Sequence, residues 1–540
     1  MAHPTYANSL AAALACYAAT AIAIGFAWWS LGAPIRLPPS PLAAGGKLAC
    51  VSYAPFRDGQ DPLVETTHVG ATQIDEDLAL LSRYTNCIRT YSTENGLDQV
   101  PAIAERHGLK VMQGLWLSNK AEKNRRQVET VVALAKAFAN TISAVIVGNE
   151  VLLRGDLSAG DLEGFIRTVK SQVTMPVTYA DVWEFWLRNR DLAAAVDFVT
   201  IHILPYWEDF PLPASVAAAH VAAIRKQVAA AIPNKEIFIG EVGWPSAGRM
   251  REAALPSPAN QARVISETMT LAQRENFRVN VIEAFNQPWK RWLEGATGGY
   301  WGIFDRATGA PKFAFSGIVS DHPQWLLQAL AGVLLAAIVF AGALIGAGGK
   351  PAVPYLWPRV ALLSFLPAVL FGWTLERIPI DSFSPGTWLR SILFAATAAI
   401  APAACAAAIA AGRTPPLFAS VLGGRRGTRD ALAIILAGSL IALTLLSTET
   451  ALVLVFDPRY RDLPFAPQSG AVIAFLALVV SAPRPIGNRA AAETLAAALL
   501  VVCAVYIAIN ETIANWQALW LCAGFLGLAL ILSRARDAPD

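Results

Sequence analysis

Two glutamates in strand-like surroundings carry the chemistry this sequence could do. One lies in Ile237-Phe238-Ile239-Gly240-Glu241-Val242-Gly243-Trp244-Pro245-Ser246, where an apolar run rich in β-branched residues delivers a carboxylate at its end. Gly240 and Gly243 let the backbone approach something closely, and Trp244 sets a flat apolar face beside the acid. About ninety residues earlier, Val145-Ile146-Val147 runs into Gly148-Asn149-Glu150. Paired carboxyls roughly 5–5.5 Å apart cleave or transfer a glycosyl unit with retention. One attacks the sugar carbon and must be ionised. The other must first hold a proton and later act as a base. Asn149, directly before its acid, can donate to a sugar 2-hydroxyl, a contact that strengthens in the transition state. Taken singly, each glutamate reads equally well as a salt-bridged strand end; together, in these contexts, they read as a catalytic pair.

Strands are predicted over 49–54, 87–91, 110–115, 143–148, 176–180, 197–203, 236–241 and 279–285. Helical patterns fill most of the gaps, for example 74–84, 122–140, 160–173, 215–231 and 260–274. Eight strands alternating with helices fit an α/β fold of the (β/α)8 TIM-barrel type, with Glu150 and Glu241 at the ends of strands four and seven. Chemistry in such barrels sits at the C-terminal strand ends. An open doubly wound sheet is disfavoured, because no Gly-rich phosphate loop follows the first strand.

The barrel takes only half of a 540-residue chain that is 55% hydrophobic. Its mean hydropathy of +0.43 points to membrane segments. Residues 9–31 are an uncharged apolar run ending in Phe26-Ala27-Trp28-Trp29, read as an uncleaved anchor spanning 1–31. A cleaved signal peptide is the rival reading, weakened by the lack of Lys or Arg before Ser9. Residues 32–48, with Pro34, Pro38, Pro39, Pro41, Gly45 and Gly46, read as a linker, and 49–320 as the catalytic domain. Residues 324–533 read as an all-α membrane domain of about seven spans, near 324–346, 359–375, 390–411, 430–455, 467–483, 491–509 and 516–532. The span near 359–375 is among the shortest of these.

Polar connections between the spans alternate in charge. Lys350 and Arg359, then Arg413, Arg425, Arg426 and Arg429, then Arg484 and Arg489, then Arg534 and Arg536 form one set. Glu376, Arg377 and Asp381, then Asp457, Arg459, Arg461 and Asp462, then Glu511 form the other. The positive-inside rule places the first set in the cytoplasm. Eight spans then leave both termini cytoplasmic, with 32–323 on the outer side of an inner (cytoplasmic) membrane. Glu449 is the intramembrane carboxylate of interest, expected to be hydrogen-bonded between helices; Arg390 and Glu493 are expected to snorkel from span ends.

A net charge of +3 and the lack of a basic, aromatic-laced stripe argue against nucleic acid as a partner. Cys16, Cys405, Cys503 and Cys522 fall in apolar stretches, and Cys50 and Cys87 on the first two strands. A bond between the latter pair suits an oxidising compartment, but buried free thiols are the expectation. No Cys-x-x-Cys or histidine cluster calls for a metal, and no organic cofactor is expected. His107, His202 and His220 read as structural, although His202 lies on a strand that can point into the barrel mouth.

Gly148-Asn149-Glu150 and Gly240-Glu241-Val242-Gly243-Trp244-Pro245-Ser246 resemble the acid/base and nucleophile motifs of glycoside hydrolase family 17. Val51-Ser52-Tyr53, Ile88-Arg89-Thr90-Tyr91, Val111-Met112-Gln113-Gly114-Leu115-Trp116, Pro205-Tyr206-Trp207, Glu283-Ala284-Phe285 with Pro288-Trp289-Lys290, and Tyr300-Trp301-Gly302-Ile303-Phe304 agree in order. The resemblance covers 49–317. It implies retaining chemistry on β-1,3-glucan, with Glu150 as acid/base and Glu241 as nucleophile. It also implies that Tyr53, Arg89, Tyr91, Asn149, Tyr206, Trp244 and Trp289 lie near substrate, Arg89 orienting the nucleophile. Trp116 and Trp207 are read evenly as loop packing or sugar platforms. Asn286-Gln287 departs from the acidic residues many family members carry there, which removes negative charge near the nucleophile.

Membrane-attached bacterial members of that family are associated with glucan building. The resemblance therefore implies a transglycosylase that elongates or branches exported β-1,3/β-1,6-glucan, with a glucan synthase or exporter as a possible partner beside the glucan and the bilayer. A membrane-anchored endo-β-1,3-glucanase and a glucan-binding scaffold are the alternatives.

Overall fold

The computed structural model describes residues 6–537 apart from 39–40, 45, 307, 314–316, 350–354, 416, 419–429 and 483–486. Pro39, Gly45, Lys350, Arg425, Arg426, Arg429 and Arg484 of the sequence reading therefore lie outside the described residues. The chain divides into two compact units, 34–319 and a second formed by 1–33 with 320–540.

In the first unit eight parallel strands close into a barrel, β1 Cys50–Ser52, β2 Cys87–Arg89, β3 Lys110–Leu115, β4 Ile142–Asn149, β5 Val177–Val182, β6 Val199–His202, β7 Ile237–Val242 and β8 Val279–Val281. Val51 pairs with Ile88 on one side and Val281 on the other, which shuts the ring. The (β/α)8 expectation holds. The first and last strands are shorter than the sequence suggests, but main-chain bonds continue past their ends, from Ile282 N to Val242 O and Ala284 N to Ser52 O.

Period-two alternation sorts the strand residues into two separate clusters. Val51, Ile88, Val111, Val145, Val147, Val177, Val199, Ile201, Ile237 and Ile239 pack outward on the surrounding helices. Cys50, Met112, Ala144, Ile146, Ala180, Phe198 and Phe238 fill the barrel. The helices supply matching stripes. In α2 (Ala71–Leu81), preceding α3 (Val100–Arg106), Ile74, Leu78 and Leu81 are buried at helical spacing. In α4 (Ala121–Ala137) Val128, Val131, Val132 and Ala135 do the same. Side-chain caps start α5 (Ala159–Lys170), where Ser158 accepts from the Asp161 N–H, and α8 (Pro258–Arg274), where Ser257 accepts from Asn260 and Pro258 occupies the first turn. Between them lie α6 (Trp183–Arg188) and α7 (Ala214–Ala231); α9 (Arg291–Gly298) follows β8.

Cys50 and Cys87 are bonded to each other, overturning the expectation of free thiols. They start adjacent strands whose inward faces meet inside the barrel, so parallel pairing brings their Cα atoms to 4.4 Å, a separation a disulfide spans. The other four cysteines are free.

The second unit holds α1 (Tyr6–Leu31), α10 (Trp325–Ala347), α11 (Leu356–Asp381), α12 (Pro385–Ala411), α13 (Ala431–Phe456), α14 (Phe465–Ser481), α15 (Ala491–Glu511) and α16 (Trp516–Ser533). Seven of these are long and apolar enough to cross a membrane. The shortest is α14, at 17 residues, rather than the span near 359–375. That span lengthens into the 26-residue α11, which runs through Pro367 and Pro379 and keeps Arg377 and Asp381 as an i,i+4 pair at 2.7 Å. In lipid, packing rather than the hydrophobic effect holds helices together, and small residues permit it. A methyl group added to Gly342 or Gly346 of α10 would lie 2.6 Å or 2.2 Å from a carbonyl of the alanine-rich α12. Arg390 and Glu493, near the starts of α12 and α15, both find partners within the unit. Arg390 pairs with Glu449 across α12 and α13 at 3.1 Å and donates to Thr450 Oγ1, while buried Glu493 accepts from the Phe418 N–H at 2.8 Å.

The disulfide closes a 37-residue separation around α2. Replacing both cysteines by alanine should lower barrel stability by about 2–4 kcal/mol. Denaturant unfolding of the detergent-solubilised chain with and without reductant checks this, and identical midpoints would show the bond to be idle.

Candidate active site

Simple alternation along the strands would not assemble the site; three register breaks do. On β2, Cys87 faces the barrel interior and Ile88 the helices, so Arg89 faces in again. His202 follows the same rule on β6. Glu241 does not, since Phe238 faces inward and strict alternation would turn Glu241 outward. Pairing skips Gly240 instead: Ile201 opposes Ile239, but His202 opposes Glu241. Further breaks lie between Ile239 and Val242 and between Ile146 and Asn149. Such irregularities re-aim side chains at strand ends. At the end of β4, Gly148 has φ +86°, where a Cβ would meet Val151 at 2.7 Å, and Glu150 itself has φ +52°. The close approach made by Gly240 is to Thr200 on the neighbouring strand.

Arg89, with its side chain 1% exposed, joins these ends. Its Nη1 donates to the Gly240 carbonyl at 2.8 Å and to Glu241 Oε1 at 3.1 Å. Its Nη2 donates to Asn149 Oδ1 at 2.5 Å and lies 3.3 Å from His202 Nε2. Tyr91, whose ring sits 4.7 Å from the guanidinium, donates its hydroxyl to the same Glu241 oxygen at 2.9 Å. Both bonds fall on Oε1. Burial first, and then the Glu241 charge, push the Tyr91 phenol far up, so it serves as a neutral donor. His202 Nδ1 stands 2.8 Å from Glu150 Oε1. A donor at Nε2 selects the tautomer with a proton on Nδ1, which His202 then gives to Glu150. Burial tends to raise the Glu150 carboxyl, but the His202 hydrogen bond and then the Arg154 and Arg89 charges outweigh it and hold it below its ordinary range.

Ligand-capable atoms of Glu150, His202 and Glu241 lie within 4.8 Å of one another. A divalent ion could span them by distance, but the Arg89 charge already sits against two of the three. This is the donor set of an ion-paired network rather than of a cation site.

The residues named from sequence separate into two groups. Arg89, Tyr91, Asn149, Glu150 and Glu241 converge. Tyr53, Tyr206 and Trp244 are fully buried and present no face to a ligand. Tyr53 donates to Asp77 at 3.1 Å, Tyr206 to the Arg249 carbonyl at 2.9 Å, and the Trp244 indole to the Leu255 carbonyl at 3.0 Å. Trp244, Tyr206 and Trp301 pack edge to face, so aromatic–aromatic contact claims the surface that sequence context offered to a sugar. Trp289 is half-buried and donates to Gln287 Oε1 at 3.0 Å. Trp116 is half-buried with the Arg154 guanidinium 4.2 Å over its ring, and Trp207 stacks on Trp301.

Sequence reasoning missed His202 as a bridge between the carboxylates; its only signal was its place on an inward phase of β6. It also missed a buried charge cluster after β8. Lys290 Nζ donates to Glu283 Oε1. Glu283 is pushed up to about 7 by burial, against the Lys290 charge, with the Glu241 charge adding to the rise. Glu294 is raised by burial and by Glu150 and Glu241. Two carboxyls thus stand within electrostatic reach of Glu241 although Asn286 and Gln287 carry no charge. Asn286 accepts instead from Lys312 at 2.7 Å, and burial pushes Lys312 down to about 7.

Arg89→Ala should destabilise the barrel by about 3–5 kcal/mol, because it strands a buried carboxylate. Arg89→Lys should recover only part of this, since one ammonium cannot reach Gly240, Glu241 and Asn149 together. Chemical unfolding of both variants measures the difference.

Residues 50–302 match the BtgE/BtgC glycoside hydrolase domain. The chain is 29% identical over 276 residues to a probable beta-glucosidase btgE of Aspergillus flavus, covering 49% of this chain and 44% of that one. It is 25% identical over 287 residues to a glucan 1,3-beta-glucosidase of Saccharomyces cerevisiae, covering 90% of that protein. It therefore spans less than half the length of the Aspergillus relative. A glycoside hydrolase family 17 beta-1,3-glucanosyltransferase from Rhizomucor miehei overlaps 50% of this chain and 97% of its own at 22% identity, with a TM-score of 0.44. That domain match takes in the whole eight-stranded ring, from Cys50 of β1 to beyond Val281 of β8.

Proposed function

We propose that this barrel is a retaining β-1,3-glucan-active enzyme working chiefly as a transglycosylase on exported glucan. The observation that carries the reading is the placing of Glu150 and Glu241 at the ends of β4 and β7, with one carboxylate oxygen of each within 4.8 Å of the other. That spacing suits direct attack and a covalent intermediate rather than an interposed water. Glu241, 6% exposed and fixed through Oε1 by Arg89 and Tyr91, is the nucleophile. Glu150 is the acid/base. Its side chain keeps 25% exposure. A glucan filling the cleft removes that remaining water, and further desolvation raises a carboxyl. Substrate thus loads the proton onto the group that must deliver it. Asn149, 7% exposed and aligned by Arg89, is placed for the sugar 2-hydroxyl.

The glycosyl–Glu241 intermediate is released either to water or to a sugar hydroxyl, with Glu150 as base in both cases. Several apolar helices beyond the barrel favour transfer onto a retained, growing chain over scavenging, for which one anchor would do. The names of the curated relatives, β-glucosidase and glucan 1,3-β-glucosidase, favour hydrolysis as the second reading. The disulfide supports an oxidising compartment for the barrel. That agrees with the alternation of basic connections (Arg359, Arg413, Arg489, Arg534) with connections of mixed charge (Glu376, Arg377 and Asp381; Asp457, Arg459, Arg461 and Asp462; Glu511). The catalytic side is then extracytoplasmic, on an inner membrane with both termini inside, and a synthase or exporter is the natural partner.

Incubation of the detergent-purified chain with β-1,3-gluco-oligosaccharides, read by mass spectrometry and linkage analysis, tests the reading. Products longer than the substrate or carrying β-1,6 bonds establish transfer; shorter products alone leave the hydrolase. Glu241→Gln should abolish both, and Glu150→Gln should slow turnover of these substrates by about 10²–10⁴-fold.

A further inference from the structure

Glu150 occupies left-handed backbone space at φ +52°, directly after Gly148 at φ +86° and Asn149. For a residue with a Cβ this conformation is disfavoured, because the Cβ crowds the following carbonyl oxygen. Such a conformation persists where the surroundings over-determine it. Two sets of side chains do so, one of which, Arg154, has entered the chemistry so far only through its charge on Glu150.

Arg154 is the first. Its Nη1 donates to the Asn149 carbonyl, its Nη2 to the Leu117 carbonyl at 2.8 Å, and its Nε to Asp156 at 2.7 Å. Its plane lies over Trp116, and its own N–H returns to the Glu150 carbonyl at 2.9 Å. The second is the pair Tyr179 and Asp181 on β5. Tyr179 gives its hydroxyl proton to Asp181 Oδ2, and Asp181 Oδ1 takes the Val182 N–H at 2.8 Å. Both side chains accept the Leu152 N–H, at 3.0 Å and 3.3 Å. Tyr179 and Asp181 are fully buried, and Asp181 finds three donors without any cation. The Glu150 N–H itself is fixed on the Ala180 carbonyl at 2.8 Å. The turn is therefore gripped before Glu150 at the carbonyl of 149, by Arg154 of the same loop, and after it at the amide of 152, from β5.

We propose that Arg154 and the Tyr179–Asp181 pair are positioning residues for Glu150, fixing the left-handed turn that aims its carboxyl at the departing glycosidic oxygen. This rests on Glu150 being the acid/base. Arg154 suits the task because a planar fork reaches three acceptors in divergent directions, which a lysine cannot. The pair suits it because a phenol fastened to a buried carboxylate is a rigid acceptor for one amide.

A misaimed acid leaves a specific kinetic trace. A glucosyl–glucose bond needs its leaving oxygen protonated, whereas a dinitrophenyl β-glucoside expels a stable anion unaided. Both need the same attack by Glu241. Arg154→Lys and Tyr179→Phe should therefore lower kcat/KM on β-1,3-gluco-oligosaccharides by about 10–100-fold, mainly in kcat, while changing it by less than about threefold on the dinitrophenyl glucoside. The ratio of the two activities does not depend on how much protein is folded, so partial misfolding does not imitate the effect. Glu150→Gln is the reference and should show the same split more strongly. If Glu150→Gln splits the substrates but both positioning variants lose the two activities equally, or lose neither, the inference is overturned and the acid assignment stands. If Glu150→Gln itself shows no split, the acid assignment falls, and with it the functional reading.

Discussion

One buried guanidinium holds the mouth of this barrel in register. A charge 1% exposed is tolerable only where its donors meet acceptors, and Arg89 meets a carboxylate, a main-chain carbonyl and a side-chain amide from strands β7 and β4. Each partner is presented by a distorted strand end. The distortions are stable because the cation is there, and the cation is tolerated because they turn acceptors toward it. Backbone irregularity and charge burial solve each other's problem, and the two carboxyls are left at a fixed spacing with different environments.

Those environments diverge by geometry alone. Glu241 is covered and anchored on one oxygen by two donors, whereas Glu150 keeps an open flank and a histidine as its partner. Two residues of one type acquire two settings because one stands in a bulged strand and the other just beyond a left-handed glycine. The aromatic residues show the complementary rule. Trp244, Tyr206 and Trp301 share edges and satisfy their polar atoms on local carbonyls or hide them in packing, so they build the wall behind Glu241 rather than a surface in front of it.

Much of this was legible beforehand. The barrel was readable because alternating strand and helix periods repeat eight times, and the two glutamates because each closes an apolar run beside glycine. The pairing of Cys50 with Cys87 was not, since it depends on which face of two adjacent strands meets the interior, and one-residue phase is what short strands leave ambiguous. The burial of Trp244 was hidden for a related reason: the segment from Met250 to Leu255 that covers it has no periodic pattern. His202 was lost among histidines without neighbours in sequence, because its partners come from β4 and β7. In the second unit, the charges and prolines of α11 disguised a long helix as a short one. Arg390, read as a lone span-end charge, is the inter-helix partner that the sequence reading expected for Glu449 without naming it.

The disulfide has a temporal meaning as well as a spatial one. Both of its cysteines lie within the first ninety residues, at the foot of β1 and β2 and at the end of the barrel opposite the carboxyls. A chain emerging from its N-terminus has everything the bond needs long before β8, which must close the ring against β1, has been made. The bond can thus fix the pitch of the first strand pair as a template, onto which the remaining strands add in order. A barrel otherwise free to start anywhere along its circumference acquires a defined beginning.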